Sequence, residues 1–214
     1  MENLSNSIAN KIASELNMDN DKKEVIAYGT FALLQTFLSI FLVLVVGHLF
    51  HVSVEAIIIL FTASILRKYS GGVHASSPGR CTFIGVIICV GQAVLISNLA
   101  NSFIDFNIAI IIMLVTFIWA YFMIYMLAPV DSSSKPIKKK EKRQKMKKGS
   151  LIILSVYFAI TISTTILYVN FEKAIFLIYA LCVSGGIVWQ VFTLTKIGHL
   201  SLRKIDAFLN YIIK

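Results

Sequence analysis

Charge is scarce in this chain. Asp, Glu, Lys and Arg together make up 14% of its 214 residues, whereas soluble domains carry about 25%. A surface so poor in charge cannot be well solvated, which excludes an ordinary aqueous globular fold. Proline and cysteine are equally sparse, at three residues each. The thiols Cys81, Cys89 and Cys182 are odd in number, and two lie inside apolar runs. That pattern excludes a disulfide-stapled secreted scaffold. Acidic residues number 11 against 20 basic ones, a formal net charge of +9. In a soluble protein this excess would suggest nucleic acid as a partner. The placement of the basic residues argues against that and for a membrane.

What the chain has in abundance is apolar residues, 57% of the total, with a mean hydropathy of +0.79. Six stretches approach or reach the roughly 20 residues that a helix needs to cross the hydrocarbon core. They are Val25–Gly47, Leu49–Leu66, Cys81–Ala100, Phe106–Ala128, Leu151–Asn170 and Ala174–Thr195. The second is short and carries Glu55, so a tilted or re-entrant course is open to it. The first 24 residues are polar and mixed in charge, unlike a cleavable signal peptide. The expected fold is an all-α polytopic membrane protein of about six transmembrane helices.

Lysine and arginine orient those spans. With the N-terminus in the cytoplasm, every one of the 20 basic residues except Lys173 falls in a cytoplasmic segment. The positive-inside rule therefore predicts cytoplasmic N- and C-termini and an even number of crossings. Residues 1–214 read as one membrane-embedded domain with four polar parts. The first, 1–24, carries Leu4, Ile8, Ile12 and Leu16 at spacing four, the mark of an interfacial amphipathic helix. The tail, 196–214, repeats the pattern with Leu202, Ile205, Leu209 and Ile212. Between them lie a loop over 67–81 and a basic loop over 129–150. Nine basic residues from Lys135 to Lys148 give the latter affinity for anionic lipid as well as a topological role.

The 67–81 loop is where chemistry is concentrated. His74 and Cys81 stand seven residues apart, about 10 Å along a continuous helix and too far for proton transfer. Gly71-Gly72 and Pro78-Gly79 break that helix and let the chain fold back. Ser77-Pro78 has the character of an N-cap followed by an N1 proline, which places Cys81 in a helical first turn. Thiolate, the nucleophilic form, is favoured near a helix N-terminus and near cations, and Arg67, Lys68 and Arg80 are close in sequence. First-turn N–H groups of Gly79, Arg80 or Cys81 can stabilise an oxyanion. His74 can act as general base and then as general acid. Spacing by itself leaves open an incidental pair of residues at a helix end.

The stretch Arg67-x3-Gly71-Gly72-x-His74-x6-Cys81 resembles the signature of the accessory gene regulator B family. These are membrane peptidases that process precursors of cyclic autoinducing peptides in Gram-positive bacteria. Ala128-Pro129-Val130-Asp131, followed by Lys135-Pro136-Ile137 and the lysine run, is a second point of similarity. The resemblance covers essentially the whole chain. It implies Cys81 as nucleophile and His74 as general base, with Arg67, Gly71 and Gly72 supporting them. It also implies a reaction in which Cys81 cleaves an acidic tail from the precursor, leaving an acyl-thioester. A Cys or Ser of the precursor then closes a thiolactone or lactone ring. On this reading Lys138, Lys139 and Lys140 would capture the acidic tail, the enzyme would form a homodimer, and its site would lie inside the plasma membrane's cytoplasmic face.

Other polar residues have simpler readings. His48, His51 and Glu55 mark a span boundary, and neither a metal nor a cofactor is called for. Cys89 and Cys182 read as small packing residues. Gly85, Gly91 and Gly185-Gly186 read as sites of close helix approach. Ser76, Ser77, Gln92, Asn98 and Asp131 are equal candidates for a group that orients His74. The rival function is a transporter of a small solute or peptide, which would place polar groups near the membrane midplane.

Overall fold

A computed structural model of the chain describes residues 1–73, 75–102, 105–131 and 139–212. Among the described residues there are eight helices: α1 (Glu2–Glu15), α2 (Asn20–Leu49), α3 (Ser53–Ser70), α4 (Pro78–Ser102), α5 (Phe106–Leu127), α6 (Lys140–Phe171), α7 (Ala174–Phe192) and α8 (Lys196–Ile212). The chain forms two compact units, Met1–Leu42 and Val43–Lys214. Five helices, α2, α4, α5, α6 and α7, are long and apolar enough to cross a membrane. The protein is an all-α, multi-pass membrane protein.

The short second stretch becomes α3. Its 18 residues span about 27 Å at 1.5 Å per residue, slightly less than the roughly 30 Å hydrocarbon core. It is instead held by protein, packing against α4, α6 and α7. Ala56, Ile59, Ala63, Leu66 and Ser70 line its buried face, spaced by three or four residues as one side of a helix requires, with Thr62 buried beside them. Tyr157 of α6 donates a hydrogen bond to the Thr62 carbonyl at 3.1 Å.

In the larger unit α7 is the packing axis: 61% of its span is buried, against 33% or less for the other four spanning helices. It packs on α3, α4, α5 and α6. Leu66, Phe117, Ile124, Leu154, Ile187 and Val191 form one core cluster, and Ala109, Met113, Leu177 and Leu181 another. Lipid offers helices no hydrophobic drive to associate, so close van der Waals fit has to do it. Gly186 shows how: a Cβ there would lie 2.9 Å from the Ile59 carbonyl oxygen. Gly185 is similarly tight against Ile96, but Gly85 and Gly91 have no neighbour within 4 Å of such a Cβ. Those two glycines face open surroundings and are not packing sites.

The polar parts are also drawn differently from the sequence expectation. Arg67–Ser70 ends α3 and Pro78–Cys81 begins α4, so the connecting segment is only 71–77. The basic stretch from Lys140 onward is helical, because α6 runs unbroken for 32 residues, about 48 Å, and its basic turns extend past the apolar ones. In α1 the buried residues are Ser5, Ala9 and Ala13, whereas Leu4 and Leu16 are exposed. In α8 Leu202 is buried, while Ile205 and Ile212 are exposed with Ile197, Leu200, Phe208 and Tyr211. The tail helix therefore has an inward face and a separate, outward apolar face.

Candidate active site

The site is built where α3 ends. Gly71 is the C-cap, with φ 72° and ψ −152°, and its N–H bonds the Arg67 carbonyl at 2.9 Å. From here the chain pairs with the segment after α5. Gly71 and Val130 form an isolated parallel bridge, and the Val130 N–H donates to the Ser70 carbonyl at 2.9 Å. A Cβ on Gly71 would lie 2.1 Å from the Val130 carbonyl oxygen, a contact only glycine avoids. Gly72 follows at φ 132°, and its Cβ would meet Thr193 Oγ1 at 2.8 Å. Both glycines are thus required by conformation and by space.

A buried glutamine holds this reversal. Gln190 of α7 is fully buried, and its Nε2 donates to Ser70 Oγ at 2.9 Å and to the Gly71 carbonyl at 2.8 Å. Ser70 Oγ in turn donates to the Leu66 carbonyl at 3.0 Å. Thr193 Oγ1 donates to the Gln190 carbonyl at 2.7 Å. In the sequence Gln190 is an isolated amide within the last apolar stretch. Its signal was there, since a polar group inside an apolar helix must find partners or cost several kcal/mol, on the order of 2–7.

Arg67 reaches from the last turn of α3 to the segment that follows it. Its Nη2 donates to the carbonyl of Val73, the residue immediately before His74. Its guanidinium also interacts electrostatically with Cys81. Its Nε is buried and has no hydrogen-bond partner among the described residues. His74 itself lies outside the described residues, as does Lys138.

Cys81 lies in the first turn of α4, as the Ser77-Pro78 pattern predicts. Its N–H closes that turn on the Ser77 carbonyl at 3.0 Å, so this group is not a spare oxyanion donor. Of the three thiols Cys81 alone is partly exposed, while Cys89 and Cys182 are buried in spans. Arg80, expected to favour thiolate, is turned to a different partner. Its Nε donates to Asp206 Oδ1 of α8 at 2.7 Å, with side chains only 17% and 14% exposed. Burial pushes the Asp206 carboxyl upward, but hydrogen bonds from Ser76 and Arg80 outweigh it and hold the group below its ordinary value.

The second motif adjoins the first through Val130. The Ala128–Pro129 peptide bond is cis, and Arg143 of α6 donates to the Pro129 carbonyl at 3.2 Å. Arg143 also pairs with Asp131 at 3.6 Å, and Ser76 is bonded to Asp206 and Arg80. Two of the candidate orienting groups for His74 are therefore engaged elsewhere. Lys139 and Lys140 are exposed at the start of α6. Farther along that helix Gly149 packs on the Tyr69 ring, where a Cβ would fall 2.3 Å from Cδ1. The basic helix is thereby anchored beside the end of α3.

A sequence model described as Accessory gene regulator B matches residues 5–194. The chain belongs to this family. It is 46% identical, over the full length of both chains, to an "AgrB-like protein" of Clostridium perfringens strain SM101. It is 45% identical, again over both full lengths, to "AgrB-like protein 2" of Clostridium perfringens strain 13. An AgrB-like protein of Listeria innocua is 31% identical over 88 residues, 41% of this chain and 39% of the other. No solved structure matches. As a member of the accessory gene regulator B family, the protein has a role in the agr quorum-sensing system.

Proposed function

We propose that the protein is a membrane cysteine endopeptidase that removes the C-terminal tail of a quorum-sensing propeptide and cyclises what remains. The observation that carries this reading is the double engagement of Arg67. One side chain binds the carbonyl just before His74 and acts electrostatically on Cys81.

His74 takes the Cys81 thiol proton as sulfur attacks the scissile carbonyl carbon. The carbonyl oxygen gains the charge, and the N–H groups of Gly79 and Arg80 in the first turn of α4, with the helix dipole, favour it. Collapse expels the tail's amine, which receives its proton from His74. The precursor is then held as a thioester on Cys81. A Cys or Ser side chain of the precursor attacks that carbonyl, its proton passes through His74, and Cys81 leaves as thiol. Ring closure outruns hydrolysis because an internal nucleophile can act at effective molarities on the order of 10⁵ M or more. The site faces the cytoplasm of the plasma membrane, on the side that holds the basic segments.

The test is cleavage of the precursor by purified variants in detergent or liposomes. Cys81→Ala and His74→Ala should abolish tail release, while Cys89→Ala and Cys182→Ala retain it. Arg67→Lys keeps the charge but loses the planar fork, and kcat should fall on the order of 10²-fold. Tail release by Cys81→Ala at the wild-type rate would overturn the proposal in favour of transport or another non-thiol function.

A further inference from the structure

The segment that joins His74 to Cys81 is gripped by the C-terminal helix. Asp206 of α8 accepts three hydrogen bonds from it: Ser76 N–H at 3.1 Å, Ser76 Oγ at 2.6 Å and Arg80 Nε at 2.7 Å. Arg80 then closes the ring, donating from Nη2 to Ser76 Oγ at 2.6 Å and from Nη1 to Asn210 Oδ1 at 3.0 Å. Asp206 and Asn210 are four residues apart and so share one face of α8, close to that of buried Leu202. Positions 197, 200, 208 and 211 fall on the opposite side at 100° per residue, and Ile197, Leu200, Phe208 and Tyr211 there are exposed. The family match ends at residue 194, so α8 lies beyond it.

Two features make this more than a surface ion pair. Both charged side chains are mostly buried, and bonds to an ionised, partly buried carboxylate are stronger than neutral ones. In addition, the gripped residues bracket the start of α4, whose first turn carries the nucleophile. Arg80 precedes Cys81 directly, and Ser76 is two residues after His74. The Arg80 charge is matched by Asp206, so the pair acts through geometry and not through its field on the thiol.

We infer that Asp206 is a positioning residue: through Ser76 and Arg80 it fixes the start of α4 and so sets the direction of the Cys81 thiol. The inference rests on the reading of Cys81 as the nucleophile. With its outer apolar face suited to the headgroup boundary, α8 gives the segment a support that does not move with the substrate.

The experiment compares wild type, Cys81→Ala, Asp206→Asn, Arg80→Gln, their double variant and the charge swap Arg80→Asp with Asp206→Arg. Each full-length protein, in a Cys89→Ala, Cys182→Ala background and purified as a monodisperse species, is reconstituted in liposomes; rates are expressed per Cys81 thiol titrated by a maleimide, and per total protein for Cys81→Ala. Asp206→Asn and Arg80→Gln should each lower kcat by about 10-fold to 100-fold with KM unchanged. The double variant should be no worse than the poorer single, since the two act as one unit, and the swap should regain part of the loss. A wild-type kcat in Asp206→Asn, with Cys81→Ala inactive, would overturn the positioning role alone. Additive losses, or a loss confined to the number of titratable thiols, would also overturn it and assign the pair to stability. Activity in Cys81→Ala would instead overturn the underlying nucleophile.

Discussion

Gly72 and Thr193 are in such close contact that a methyl group on Gly72 would stand 2.8 Å from the threonine hydroxyl oxygen. They are 121 positions apart in sequence, and the contact joins the loop before His74 to the end of α7. Gly72 also holds φ 132°, where side chains are strained by about 1–3 kcal/mol. Gly72→Ala should therefore impair cleavage severely, through both clash and strain. The double variant with Thr193→Ala relieves only the clash, so activity should stay low. Recovery to the wild-type rate in that double variant would show that space alone, and not backbone conformation, demands the glycine.

The lysines at the start of α6 bear on substrate capture. Lys139 and Lys140 are exposed, and α6 is tied to the segment after α5 through Arg143 and to the end of α3 through Gly149. Replacing Lys138, Lys139 and Lys140 with glutamine should raise KM for an acid-tailed precursor by roughly threefold to tenfold, at about 0–1 kcal/mol per exposed pair, with kcat unchanged. The difference from wild type should shrink with added salt. Normal KM in correctly inserted triple variant would restrict these lysines to topology.

Asp206 sets a pH window for the grip on the loop. Its carboxyl is held below the ordinary value by Ser76 and Arg80 despite the opposing effect of burial. A depressed folded-state value stabilises the protein above the unfolded carboxylate value of about 3.9, and that stability is lost as pH falls through the folded value. The Tm gap between wild type and Asp206→Asn should hence be constant from about pH 5 to pH 8 and close only in stronger acid. A gap that changes around neutrality would mean that another group controls the contact.

Much of the protein was legible in the order of its residues. Long apolar runs force helices, because lipid leaves backbone polar groups no partner but one another. Ser77-Pro78 announced the start of α4 and thereby the first-turn place of Cys81, since capping is a local matter of a few bonds. Gly71-Gly72 announced a reversal. What decided the site, however, was contact between distant segments. No periodicity could pair Gly71 with Val130, direct Gln190 to Ser70 and Gly71, or take Arg80 away from the thiol to Asp206, because those partners are 59 to 126 positions apart. α3 makes the same point: short for a span by length, it is kept in place by α4, α6 and α7. Local chemistry determines which residues start, stop and cap a helix, while a buried polar group takes whichever partner the packed helices bring within about 3 Å.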